Sequence, residues 1–352
     1  MTPSEIISER LRRQQLTLPR FTTPHEVVRW MGAIQAQDFQ AALWAIGSRL
    51  PTASMKDVES SIAAARIVRS WPMRGTLHFV AAEDLRWILR LLAPRVCAGA
   101  KGRHRQLELD DKVLATTRRI LETHLDKNGP QTRKSLLETL EKKRISTAGQ
   151  RGAHILQYHA LEGLICFATH QGKQPAFALS EEWIGKERRL GPQESLAELT
   201  LRYFRSHGPA TAEDFAWWSG LRITQVREAL SLCEGQLERV RAGKTEYWMA
   251  PFPAASPVRV PPLRLLPGFD EYLLGYRDRS LVLEPRLAPR VVPGNNGMFL
   301  PTIVKNGRIR GTWKRQIRAG SVNIEVHPFR PEDAPGARPL AAEVKKYKAF
   351  WG

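Results

Sequence analysis

The chain has 352 residues, 42% of them apolar, enough for two or three compact units with sizeable cores. Lys and Arg number 54 against 35 Asp and Glu, and the resulting net charge of +19 points to a polyanionic partner. No apolar stretch is long enough to cross a bilayer, which sets the membrane aside and leaves nucleic acid.

In chain order, Met1 to Arg13 mixes Glu5 and Glu9 with Arg10, Arg12 and Arg13 and never builds the apolar stretch of a signal peptide. A cytoplasmic, nucleoid-associated protein is therefore expected. Thr23-Pro24 reads as the cap and first residue of a helix through Val27, Val28, Trp30 and Met31. Leu43 to Leu50 continues helical, Val58 to Val68 reads as a third helix, and Pro72 to Val80 turns and alternates like a wing strand.

The same order recurs twice. Asn128-Gly129-Pro130-Gln131-Thr132 and His207-Gly208-Pro209-Ala210-Thr211 each set a Gly-Pro turn and a capping Thr before an apolar helical run. The first is followed by a helix marked by Leu136, Leu137 and Leu140, a second through Ile155, Leu156, Tyr158 and Leu161, and a strand from Leu164 to Phe167. The other is followed by Phe215, Trp217 and Trp218 up to Ser219-Gly220, a helix with Val226, Ala229 and Leu230, and a strand from Leu237 to Val240. Helix, turn, helix and small hairpin is the winged-helix pattern, and winged helices bind duplex DNA.

From Ser256 onward prolines, glycines and short β-rich runs take over, among them Leu263 to Leu266 and Ser280 to Leu283. Gly297 to Val304 and Arg308 to Trp313 read as hairpin arms around a type I′ turn at Asn306-Gly307. Pro331 to Pro339 reads as a linker to a terminal helix, Ala341 to Phe350, which Val344, Tyr347 and Phe350 could dock. The predicted fold is α+β, with three tandem winged helix-turn-helix units at 1–115, 116–190 and 191–255, a β-rich unit at 256–335 and a terminal segment at 336–352.

Cys97, Cys166 and Cys233 are well separated and contain no C-x-x-C pair, so reduced thiols are expected rather than a disulfide frame, a zinc knuckle or a four-cysteine iron–sulfur cluster. His154 and His159 lack the H-E-x-x-H pattern, and no metal site is expected. No P-loop, G-x-S-x-G or dinucleotide fingerprint occurs, so no cofactor is implied.

One motif fits a plain DNA-binding regulator poorly. In Ile34-Gln35-Ala36-Gln37-Asp38 two glutamines flank one small residue beside an apolar helix. With Ala42 to Ala45, Arg74-Gly75-Thr76-Leu77-His78, Leu265 to Leu273 and Gly311-Thr312-Trp313, this triplet resembles the winged-helix DNA glycosylases typified by AlkZ and YcaQ, which carry a Gln-x-Gln or Gln-x-Asp motif near the N-terminus. The resemblance covers nearly the whole chain. It implies tandem winged helices framing a basic concave surface, hydrolysis of the N-glycosidic bond of alkylated purines, bulky or cross-linked adducts included in some members, and catalysis by Gln35 and Gln37.

Glutamine is chemically adequate for that task. A purine alkylated at N7 or N3 is already cationic and leaves neutral, so no strong general acid is required. The remaining work is to place a water and steady an oxocarbenium-like sugar, which amides can do by orientation. Asp38 is a second candidate base, ranked below the glutamines because adjacent helical residues point about 100° apart. Arg69, Arg74 and His78 near the first wing, and Lys101, Arg103 and Arg105 beside His104 after a Gly-rich bend, are candidate phosphate contacts. Asp270, Tyr272, Tyr276 and Arg279 read as a structural hydrogen-bonded cluster.

Double-stranded DNA is the expected partner, engaged by a monomer, because three fused modules can enclose one lesion. The competing reading is a non-catalytic winged-helix regulator, which would bind specific sequences, dimerise on pseudo-palindromes and release no base. A lysine Schiff-base lyase is the third, with no lysine beside the Gln-x-Gln motif.

Overall fold

The computed structural model describes residues 1–172, 174–253, 260–318 and 321–352. Ser256, where the sequence texture changes, lies outside the described residues. The fold is α+β, and the chain forms two compact units, one of residues 1–58 with 196–352 and the other of residues 59–195. Among the described residues no helix is long and apolar enough to cross a membrane.

In the first unit the helix Pro3–Arg13 is opened by a capping box between Thr2 and Glu5, and Pro24–Met31 by one between Thr23 and Glu26. A short strand, Ile34–Gln35, precedes the helix Phe39–Gly47. That helix ends before Leu50, the expected limit, with Ser48 as its C-cap. After Ser206 the unit repeats helix, turn, helix and hairpin. Ala212–Ser219 is capped by Thr211 and closed by left-handed Gly220, Ile223–Leu232 follows, and Glu238–Ala242 pairs antiparallel with Thr245–Met249.

The C-terminal part of this unit is a four-stranded antiparallel sheet in the order Ser321–Pro328, Arg308–Arg318, Thr302–Lys305, Leu263–Leu266. Asn306 and Gly307 both have positive φ between the paired residues Lys305 and Arg308, which is the two-residue turn their identities predict. Ser280 to Leu283 is not a strand. Val282 and Leu283 are buried, but their N–H groups bond back to the Arg279 carbonyl, forming a turn. The expected linker at 331–339 instead holds a 3₁₀ turn, Pro331–Asp333, and the start of the helix Ala337–Trp351. Tyr347 and Phe350 dock this helix, and Val344 is only half-buried. A methyl group at Gly47 would run into the Phe350 ring, so glycine permits the close approach.

In the second unit the strands run in the order Thr76–Ala81, Ile67–Met73, Ile165–Phe167, Ala176–Leu179, Gln131–Thr132, all antiparallel. The helix expected over Val58 to Val68 is Met55–Ala63, and Ile67 and Val68 already belong to the first strand of the hairpin. Helices Asp111–Asn128, Arg133–Lys142 and Arg151–Leu161 close a core around Leu121, Leu125, Leu136, Leu140, Ile155 and Phe177. Thr132 caps the helix it was expected to cap, accepting from the Ser135 N–H. Lys101, Arg103 and Arg105 do not follow a bend, because Gly99 and Gly102 lie within the helix Leu85–Gln106 and the cations complement its C-terminal dipole.

Candidate active site

The Gln-x-Gln segment is built by alternation. Gly32, at φ +79°, turns the chain out of the helix Pro24–Met31, and Ile34 and Ala36 then point inward with no exposed surface. Gln35 is 8% exposed and Gln37 is exposed. Asp38 is the N-cap of Phe39–Gly47, with extended backbone and its Oδ1 accepting the Ala41 N–H at 3.0 Å. It therefore precedes the helix rather than lying within it, and its carboxylate is tied to the cap.

The backbone of Gln35 is held by a residue far along the chain. Glu271 Oε1 accepts the Gln35 N–H at 2.9 Å, and Glu271 Oε2 accepts the Trp218 Nε1–H at 3.0 Å. Glu271 is 1% exposed and Trp218 is fully buried. The His207 ring stacks on Tyr203 with centroids 4.8 Å apart, and its Nε2 lies 3.6 Å from Glu271 Oε2. Burial lowers the His207 pKa against the opposing pull of Glu271, so the imidazole is neutral at pH 7.

An ion pair adjoins this carboxylate. Arg49 donates both terminal nitrogens to Asp270, each at 2.8 Å, and both residues are buried. Arg49 also donates to Gln14 Oε1, Gln14 Nε2 donates to the Tyr276 hydroxyl, and that hydroxyl donates to the His207 carbonyl at 2.8 Å. Burial pushes the Tyr276 hydroxyl up to about 12. Tyr272 donates to the Gly307 carbonyl, and Arg279 donates to the Leu273 carbonyl while stacking over Trp217. Asp270, Tyr272, Tyr276 and Arg279 thus all hydrogen-bond within the protein. Glu271, Gln14, Arg49, His207 and Trp218 were not foreseen, and the one sequence signal was the acidic pair Asp270-Glu271 inside an apolar run.

The candidate phosphate contacts all lie in the second unit. Arg69 is half-buried over the Phe167 ring at 5.1 Å, and Arg74, at φ +53°, forms the hairpin turn with Gly75. His78 is fully buried, its Nδ1 donating to the Thr76 carbonyl at 2.9 Å and its Nε2 3.5 Å from the Arg74 guanidinium. It faces inward because strand alternation puts it opposite buried Ser70, so it supports the hairpin and offers no surface to a phosphate. Lys101, Arg103 and Arg105 are exposed, with Arg103 donating to Gln106 and Gln150.

The Gln35 backbone is thus fixed by a buried carboxylate in a strongly basic α+β chain. The family model described as DNA glycosylase AlkZ-like matches residues 28–350, and the chain belongs to that family. It is accordingly a DNA N-glycosylase, a hydrolase of N-glycosyl bonds whose partner is DNA. A relative, the interstrand DNA cross-link repair glycosylase of Streptomyces sahachiroi, is 25% identical over 329 residues, spanning 88% of this chain and 87% of its own. The solved structure of Streptomyces sahachiroi DNA glycosylase AlkZ has the same fold, with a TM-score of 0.84 at 22% identity over 99% of this chain and 96% of its own.

Proposed function

We propose that this chain is a monofunctional glycosylase that acts as a monomer on duplex DNA, releasing cationic purines alkylated at N7 or N3, with Gln35 and Gln37 as its catalytic residues. The observation that carries the proposal is the pair of amides one residue apart, the first nearly buried and the second exposed, with the backbone N–H of the first held by Glu271. Preorganised amide dipoles serve a reaction that needs orientation more than acid strength.

In the proposed step the C1′–N bond breaks and its electron pair goes to the base, cancelling the base's positive charge. Water forms the new C1′–O bond, held by the amide oxygens, and loses one proton to solvent. A neutral purine would leave as an anion without protonation, so selectivity for cationic lesions follows from the chemistry. The name of the Streptomyces relative extends the candidate substrates to bulky and cross-linked adducts.

Lys346, whose amine burial pulls down to about 8, does not serve as a nucleophile beside the motif. That amine donates to the Ser48 carbonyl, beyond the C-terminal end of the nine-residue helix Phe39–Gly47. The Gln-x-Gln segment precedes the other end, about 13 Å away along the axis. In the second unit, helix, turn, helix and hairpin over 133–179 support the winged-helix reading of 116–190, and in the first unit 212–249 supports that of 191–255.

The test is release of free base from N7-methylated duplex DNA, measured by liquid chromatography and mass spectrometry for wild type, Gln35→Ala and Gln37→Ala. Release that collapses in both variants is expected. Equal release by all three proteins would remove the glutamines from the mechanism.

A further inference from the structure

The lining of a cleft of about 270 Å³ includes Asp38, the residue that follows Gln37 in sequence. Its walls are Trp44, Phe269, Phe299, Trp313, Tyr347 and Trp351. Trp44 and Trp313 both stand edge-on to Tyr347, with centroids 5.0 and 5.1 Å away. These inner rings are core residues. The outer ones differ, since Phe299 and Trp351 are only partly buried and Met298 at the rim is 54% exposed.

The charged groups of the lining are Asp38 and Arg315. The Arg315 guanidinium lies 4.9 Å over the Trp351 ring, so it is committed to one wall. Asp38 is exposed and lines the cleft. Aromatic walls with a carboxylate at the mouth suit a flat ring carrying positive charge, which gains from the ring faces and from the anion together. The volume is just below the range of about 300–1,000 Å³ typical of small-molecule pockets, room for one bicyclic ring with a small alkyl group.

We infer that this cleft receives a single cationic alkylpurine turned out of the duplex, with Asp38 facing its positive charge. The inference rests on the glycosylase reading for its biological ligand and adds that the base leaves the stack, as enzymes acting on bases commonly require. A second base cross-linked to the first stays outside the cleft.

The test needs no turnover. The full-length protein is titrated with 7-methylguanosine, whose ring carries a fixed positive charge, and with guanosine, and tryptophan quenching is read. The methylated nucleoside is expected to bind at least about tenfold more tightly, the scale of a desolvated cation–aromatic contact. Asp38→Asn retains a capping side chain while removing the charge, and should lower the ratio to the part the aromatic walls supply. Phe299→Ala should weaken both ligands. Equal affinities in wild type, a preference unchanged in Asp38→Asn, or no saturable quenching up to about 10 mM would each overturn the inference. Base release that depends on the glutamines, without nucleoside preference, sinks the cleft and spares the mechanism; preference without base release does the reverse.

Discussion

The carboxylate of Glu271 accepts the backbone N–H of Gln35 at 2.9 Å, across 236 positions of sequence, and takes the indole N–H of Trp218 on its other oxygen. One buried side chain therefore sets where the first glutamine starts.

Glu271→Gln keeps the shape but offers only one accepting oxygen, so either the Gln35 N–H or the Trp218 indole loses its partner. A displacement of about 1 Å in a catalytic segment can cost roughly a hundredfold in rate. We expect kcat on N7-methylated duplex to fall about 10- to 100-fold with KM changed far less. Steady-state kinetics decide the matter. A change confined to KM would place Glu271 in binding rather than in positioning the motif.

The Arg49–Asp270 pair should behave differently. Both partners are buried, and removing one leaves the other uncompensated, which typically costs about 3–5 kcal/mol. Arg49→Ala should shift the urea midpoint accordingly. The double variant Arg49→Met with Asp270→Leu should lose much less than the sum of the single changes. Additive losses would show that the two charges do not stabilise one another.

Burial lowers the His159 pKa to about 4, its Nε2 meeting the Thr117 hydroxyl at 2.8 Å. The unfolded imidazole titrates near 6.5, so between pH 6.5 and 4 the unfolded state binds the extra proton and stability falls with pH. The contribution is complete above the unfolded pKa and amounts to about 2 kcal/mol lost at pH 5. Melting temperatures of wild type and His159→Leu between pH 5 and 8 test this. The wild-type curve should slope more steeply, and parallel curves would rule His159 out as the source.

What could be read from the sequence was chemistry expressed within a few residues. Thr23, Thr132 and Thr211 cap the helices that follow them because a hydroxyl three residues from an N–H needs no distant help. Asn306-Gly307 makes its turn for the same reason. The Gln-x-Gln motif stood out, yet its anchor did not, because Glu271 becomes a partner of Gln35 only after folding. Ser280 to Leu283 is apolar yet not a strand, because burial does not require one, and Gly99 and Gly102 sit within a helix because a side-chain carbon at either would meet nothing within 4 Å.

The exposed cations and the buried histidine should respond differently to salt. Lys101 and Arg105 project into solvent at the end of the helix Leu85–Gln106, whereas His78 is fully enclosed. A side chain that neutralises one phosphate contributes about 0.9 to the slope of log affinity against log salt. Lys101→Ala and Arg105→Ala should each lower that slope by about one, with little change in kcat once the substrate saturates. His78→Ala should leave the slope as it is and lower the melting temperature, because it empties a buried site and strips a partner from Arg74. Fluorescence anisotropy on undamaged duplex across a salt series reads all three. Slopes unaltered in both cation variants would move the DNA surface to another face of the molecule, and a reduced slope in His78→Ala would mean that the hairpin, through Arg74, carries the contact instead.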